Sequence, residues 1–189
     1  MSWKLTSDTI RFIVDNFAEG SKILELGSGD GTEILVDYGF SVSSIEQNPD
    51  WAFKYHDDYI LAPVKFNETS KRWWFDPTYL EGKLPTEYDL LIIDGPTGRT
   101  SEYEDCRLGI LDHLELFNMD ASILIDDIGR PKELELFNIL SEGRQASIRG
   151  RFGFIWGTIL QEITKGRRAA YTELLNWIEN RLHRFGIEK

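Results

Sequence analysis

Three glycines at alternate positions, in Gly27-Ser28-Gly29-Asp30-Gly31, restrict the fold of this chain more than any other feature. They follow an apolar run, Lys22 to Leu26, and lead into an amphipathic stretch, Gly31 to Tyr38, that Gly39 stops. This order predicts a short buried strand, a tight turn and a helix. Without Cβ atoms at these positions, the backbone of the turn can come close to a ligand. A dinucleotide fingerprint places glycines at the first, third and sixth positions. The sixth position here is Thr32, so the spacing argues against a dinucleotide site.

The rest of the chain repeats the same alternation. Ser7 to Phe17 reads as an opening helix, and Phe40 to Glu46 as a second strand. Asn48-Pro49 predicts another helix, with Asn48 as cap and Pro49 in the first turn. Tyr59 to Phe66 reads as a third strand, and Asn67 to Glu87 as a loop or short hairpin packed over a sheet edge. Tyr88 to Asp94 and Ala121 to Asp126 are apolar strands, with helices expected over Ser101 to Leu116 and Pro131 to Leu140. Ala146 to Arg149 and Gly153 to Gln161 suggest an antiparallel pair. Thr164 to Phe185 reads as a long last helix whose apolar face packs on the domain or on a second copy, giving a monomer or a homodimer. Alternating strands and helices predict a parallel sheet covered on both faces. At 189 residues and 41% hydrophobic, the chain suits one domain with its own core.

A net charge of -11 repels a phosphate backbone, which disfavours a nucleic-acid partner. Arg144, Arg149, Arg151, Arg167 and Arg168 make the last quarter more basic, as a solvated face or as a contact for an anionic substrate. A single cysteine, Cys106, excludes a disulfide framework and a multi-cysteine zinc site, and its apolar neighbours suggest packing. Met1-Ser2-Trp3-Lys4 lacks the apolar core of a signal peptide, and no long apolar run would cross a membrane. A cytoplasmic location is the expectation.

Several expected strands end in acids: Glu25, Glu46, Asp94 and Asp126-Asp127. Open parallel sheets bind ligands at the carboxyl ends of their strands, so these acids point to a site along one edge. Each alone would also suit a helix cap.

Ile23-Leu24-Glu25-Leu26-Gly27-Ser28-Gly29-Asp30-Gly31-Thr32 resembles the first motif of class I S-adenosylmethionine (SAM)-dependent methyltransferases, and Ser44-Ile45-Glu46 is similar to their second acidic position. The resemblance implies an α/β, three-layer Rossmann-like fold. Its seven-stranded sheet would be mostly parallel, with an antiparallel last strand and helices on both faces. It also implies that the loop through Gly27, Ser28, Gly29, Gly31 and Thr32 passes under the methionine part of SAM. Glu25 would lie near the SAM amino group and Glu46 would hold the ribose hydroxyls. Adenine would sit near Gln47, Asn67 and Phe66 or Trp51.

Asp94-Gly95-Pro96-Thr97-Gly98 and Asp126-Asp127-Ile128-Gly129-Arg130-Pro131 resemble segments of small-molecule, catechol-type O-methyltransferases and of bacterial methyltransferase-like domains. That likeness implies SAM as cofactor and a small-molecule methyl acceptor such as a sugar, a glycan precursor or a phenol. It also implies Asp94, Asp126 and Asp127 as ligands for a divalent ion such as Mg2+, which suits hard oxygen donors. Asp94 and Asp126 would be catalytic. The lysine base of the catechol type is missing. Arg99 stands in that region, too basic for the role but able to hold an anionic substrate. A metal-free alternative has Asp94 as base or as the group that orients SAM. Two rivals share the fold: an aminopropyl transferase and a non-catalytic SAM-fold module.

Overall fold

A computed structural model describes residues 5–97 and 106–158. The chain divides into two units, Met1–Gly157 and Thr158–Lys189. The described fold is the first. The helix expected over Thr164 to Phe185 lies outside the described residues, as do Arg99 and the start of the helix expected from Ser101.

Among the described residues there are nine strands: β1 Lys22–Leu26, β2 Ser41–Glu46, β3 Tyr59–Leu61, β4 Val64–Asn67, β5 Arg72–Phe75, β6 Leu90–Ile93, β7 Ser122–Ile125, β8 Ala146–Arg149 and β9 Phe152–Ile155. Three α-helices accompany them: α1 Ser7–Asn16, α2 Asp30–Asp37 and α3 Pro131–Leu140. Seven strands form one sheet in the order β3-β2-β1-β6-β7-β9-β8. All pairs from β3 to β7 are parallel, whereas β9 runs antiparallel to both β7 and β8. Within this sheet β9 is therefore the only reversed strand among the described residues, as expected for the Rossmann-like fold read from the sequence.

The two faces follow from side-chain alternation. Leu24, Leu91, Ile123 and Ile155 stand in register across four strands. They join Leu136, Phe137, Leu140, Trp74 and Phe75 in one buried cluster. Gly153 sits beneath the Phe137 ring, where a Cβ would meet Cδ2 at 2.4 Å, so the ring needs a glycine below it. On the opposite face Phe12 of α1 packs on Phe152 and Phe154 of β9, at ring separations of 5.1 and 4.7 Å. Glu25, in register with Ile92, belongs to that second face.

Three local expectations are corrected. No helix follows Asn48-Pro49. The N–H groups of Trp51 and Ala52 both return to the Asn48 carbonyl, and Phe53 then takes a left-handed backbone, φ 59°, which ends the turn. The strand expected over Tyr59 to Phe66 breaks at Pro63, which has no N–H to give a ladder. Its first part is the sheet edge β3, and its second part pairs with β5 in a separate hairpin. The described part of the expected Ser101–Leu116 helix is 3-10, over Cys106–Asp112 and Leu114–Leu116. There the hairpin presses on it: Gly109 faces the Trp73 carbonyl and Trp74, and Arg72 pairs with Asp112 at 2.9 Å. No described helix is long and apolar enough to cross a membrane.

Candidate active site at the carboxyl edge of the sheet

β2 and β3 lie on one side of β1, and β6 and β7 lie on the other. The carboxyl ends of β1 and β6 thus flank the point where strand order reverses, the place where such sheets open a crevice. A cavity of about 210 Å³ lies there. The ladder continues into it, with the Gly27 N–H donating to the Ile45 carbonyl and the Asp94 N–H to the Leu26 carbonyl.

One half of the cleft is built by Glu46. Its Oε2 accepts from the Ser28 N–H at 2.7 Å, and its Oε1 accepts from the Gln47 and Asn48 N–H groups at 2.8 and 2.7 Å. This carboxylate ties the glycine loop to the end of β2. Burial still raises its pKa against those three hydrogen bonds. Gly27 has φ +89°, and its Cα faces Gly95 so closely that a Cβ there would meet Gly95 Cα at 2.8 Å. Two loops, after β1 and after β6, are therefore packed backbone to backbone.

Beneath the loop lies a buried polar network. Thr32 Oγ1 and Ser44 Oγ donate to Glu25 Oε2 at 2.8 and 3.0 Å. Ser28 Oγ is bonded to Tyr59 OH at 2.8 Å, and His56 stacks on Tyr59. Burial pushes the Glu25 carboxyl up to about 8, although the two hydroxyls act to lower it. Glu25 is thus a floor residue held from below. In an unfolded chain its value is 4.5. Its contribution to stability is therefore full below about pH 4.5 and declines as pH rises toward 8. The decline has a slope of up to about 1.4 kcal/mol per pH unit. We expect Glu25→Gln to flatten the fall in stability between pH 5 and 8, measured by urea unfolding as a function of pH. An unchanged slope would refute the assignment.

The other half is ionic. Arg107, only 5% exposed, donates through Nη2 to the Asp94 carbonyl and to Asp94 Oδ1 at 2.8 Å, and through Nη1 to the Asp126 carbonyl. It also lies 3.7 Å from Asp127 and from Glu133. One guanidinium thus joins the ends of β6 and β7 to the first turn of α3. Burial pushes the Asp94 carboxyl up to about 7, with Arg107 opposing, and raises Asp126 as well. Asp127 behaves oppositely. Arg130 reaches its Oδ2 at 2.5 Å, Arg151 binds its Oδ1, and the arginines around it lower its pKa despite burial.

Oxygens of Asp94, Asp126 and Asp127 all come within 4.8 Å of one another. The three acids do not have equal freedom. Both Asp127 oxygens are engaged by arginines, whereas Asp126 Oδ1 is buried with no hydrogen-bond partner among the described residues. Asp94 and Asp126 therefore suit a divalent ion best, whereas both Asp127 oxygens already face arginines.

Of the residues expected from sequence, Gly27, Ser28, Glu46, Gln47, Trp51, Asp94, Asp126 and Asp127 line the cleft. Glu25, Gly29, Gly31 and Thr32 do not line it. Thr32 is fully buried against Glu25, the Gly29 N–H donates to Thr32 Oγ1, and Gly31 packs on Leu5. Asn67 and Phe66 lie on the hairpin and line a different pocket with His113. Asn67 Oδ1 instead accepts from the Thr69 and Ser70 N–H groups in the hairpin turn. Sequence reasoning passed over Asn48, Arg107 and Arg130 as site residues, all of which line the cleft. Arg130 stands three residues after Asp127, a spacing that could have flagged it. Nothing local marks Arg107. Cys106 donates its thiol to the Pro96 carbonyl and is pushed up to about 11 by burial, unsuited to a nucleophile.

The fold and cleft define a doubly wound α/β protein with a ligand site at its topological switch point. No family model and no curated protein sequence matches the chain. Among solved structures it is similar to a TehB-like SAM-dependent methyltransferase from Corynebacterium glutamicum, at 16% identity and TM-score 0.45, over 77% of this chain and 84% of that one. It is also similar to the MycE methyltransferase of the mycinamycin biosynthetic pathway, solved with Mg and SAH, at 12% identity and TM-score 0.46. That match covers 78% of this chain and 44% of MycE, so the chain spans about half of the MycE length.

Proposed function

We propose that the chain is a SAM-dependent methyltransferase that methylates an oxygen of a small molecule. The observation that carries this is the Glu46-clamped glycine loop facing Asp94 and Asp126 across one cleft. Beyond the three N–H groups it already accepts, Glu46 keeps about one lone-pair site, on Oε2, for a ribose hydroxyl. Trp51, Gln47 and Asn48 form the wall on the adenine side. The Gly27–Ser28 backbone leaves room for the methionine portion. In the transfer, the carbon–sulfur bond of the sulfonium breaks as a carbon–oxygen bond forms, and the acceptor hydroxyl loses its proton. Asp94, half-buried, and Asp126, buried, stand at the far side of the cleft and supply a carboxylate to take that proton. Orientation in the closed site supplies much of the remaining acceleration. A divalent ion held by Asp94 and Asp126 would make the acceptor hydroxyl more acidic. An acceptor outside the nucleic acids agrees with the net charge of -11.

Calorimetric titration with SAM and with its demethylated product, SAH, tests the reading. We expect binding of both in the micromolar range, weakened at least about tenfold in Glu46→Ala, because the ribose contact and the loop anchor are lost. No binding of either ligand at millimolar concentration would overturn it. Magnesium titrated into the wild type and Asp126→Asn separately tests the ion, with binding expected only in the former.

A further inference from the structure

We infer that Arg130 and Arg151 form an oxyanion-binding fork at the edge of the cleft, so that the methyl acceptor carries a carboxylate or phosphate. The two side chains come from distant parts of the chain. Arg130 is the first residue of α3's N-terminal cap, and Arg151 lies in the turn between β8 and β9. Asp127 brings them together, with one oxygen bound to each guanidinium. Asp127 itself has a left-handed backbone, φ 57°, a conformation that aspartate tolerates better than most residues. The Ile128 N–H donates to the Arg151 carbonyl at 2.8 Å and pins the turn beside it.

Both arginines line the cavity, and their side chains are 34% and 66% exposed. Each guanidinium carries five N–H donors, far more in total than Asp127 and Glu133 engage. Two guanidiniums converge on the one carboxylate of Asp127, and Arg130 also faces Glu133 at 3.4 Å. A purely structural ion pair would need only one of them. The first turn of α3 adds to the effect, since Arg130 provides no side-chain cap and the helix begins at the cleft. Planar, forked donors are the usual recognition element for carboxylate and phosphate. An acceptor gripped here would present a hydroxyl toward Asp94 and Asp126, which lie in the same cavity.

The role assigned to the anion rests on the methyltransferase reading, whereas the existence of the fork does not. The test is calorimetry on the full chain with inorganic phosphate and with malonate, each with and without SAH. We expect saturable binding of at least one anion at low millimolar concentration. It should be weakened at least about tenfold in Arg130→Ala and in Arg151→Ala, each of which removes charge-assisted hydrogen bonds. Lys22→Ala, at the opposite end of β1, should bind like the wild type. Preference for phosphate indicates a phosphorylated acceptor, and preference for malonate a carboxylated one. Anion binding that is lost in the arginine variants supports the fork whether or not SAH binds. Absence of saturable binding in the wild type, or equal binding in the variants, overturns it even if SAH binds normally.

Discussion

Arg107→Met is expected to destabilise the protein by about 3–5 kcal/mol, the range for breaking a buried ion pair from one side. Arg107 is 5% exposed and Glu133 is 3% exposed. Deleting the guanidinium leaves Asp94 without its ion pair and leaves two strand-end carbonyls, of Asp94 and Asp126, without a donor. Arg130 still approaches Glu133 at 3.4 Å and softens only part of the loss. Urea unfolding measures the difference, and the melting temperature should fall by roughly 10 °C. Arg107→Lys keeps a charge but loses the forked donors, so its loss should fall between those of Arg107→Met and the wild type. A methionine variant within about 1 kcal/mol of the wild type would show that the cluster is not held by this residue.

The second large effect is expected at Gly27→Ala. Its left-handed φ of +89° costs an alanine about 1–2 kcal/mol. The added Cβ would also lie 2.8 Å from Gly95 Cα and N, backbone atoms that cannot swing aside like a flexible side chain. Overpacking of this kind adds about 1–3 kcal/mol. The loops after β1 and β6 must then separate, which moves the Ser28 N–H away from Glu46. We therefore expect SAH affinity to drop at least about tenfold together with the loss of stability. Gly129→Ala is the matched control, because a Cβ there meets nothing within 4 Å. If Gly27→Ala bound SAH as tightly as Gly129→Ala, the close packing of the two loops would be irrelevant to the site.

These two residues show unequal legibility in the sequence. Gly27 stands out because its constraint is local: an apolar run, a turn that needs positive φ and a helix all follow within a dozen residues. Arg107 sits in a segment whose apolar neighbours suggest packing, and its partners lie 13, 20 and 26 positions away. The same contrast runs through the cleft. Glu46 is recognisable from its place at the end of a strand after the glycine loop. Asn67, expected beside it, is carried off by a hairpin that begins only because Pro63 interrupts the strand. Glu25 keeps its expected place at the end of β1 but is drawn under the loop by Thr32 and Ser44.

What the sequence alone determined is the order of the main sheet strands, the glycine turn and the acids at the strand ends, since side-chain periodicity and backbone preference are short-range. The tertiary structure decided which of those acids remain available. Asp127 is matched to Arg130 and Arg151, Asp94 to Arg107, and Asp126 keeps a buried oxygen with no partner among the described residues. Burial and charge pairing across separate elements set those differences, and neither is visible until the sheet has brought the strand ends together. The glycine loop that first restricted the fold thus supplies half of the cleft, and the arginines that meet at Asp127 supply the character of the other half.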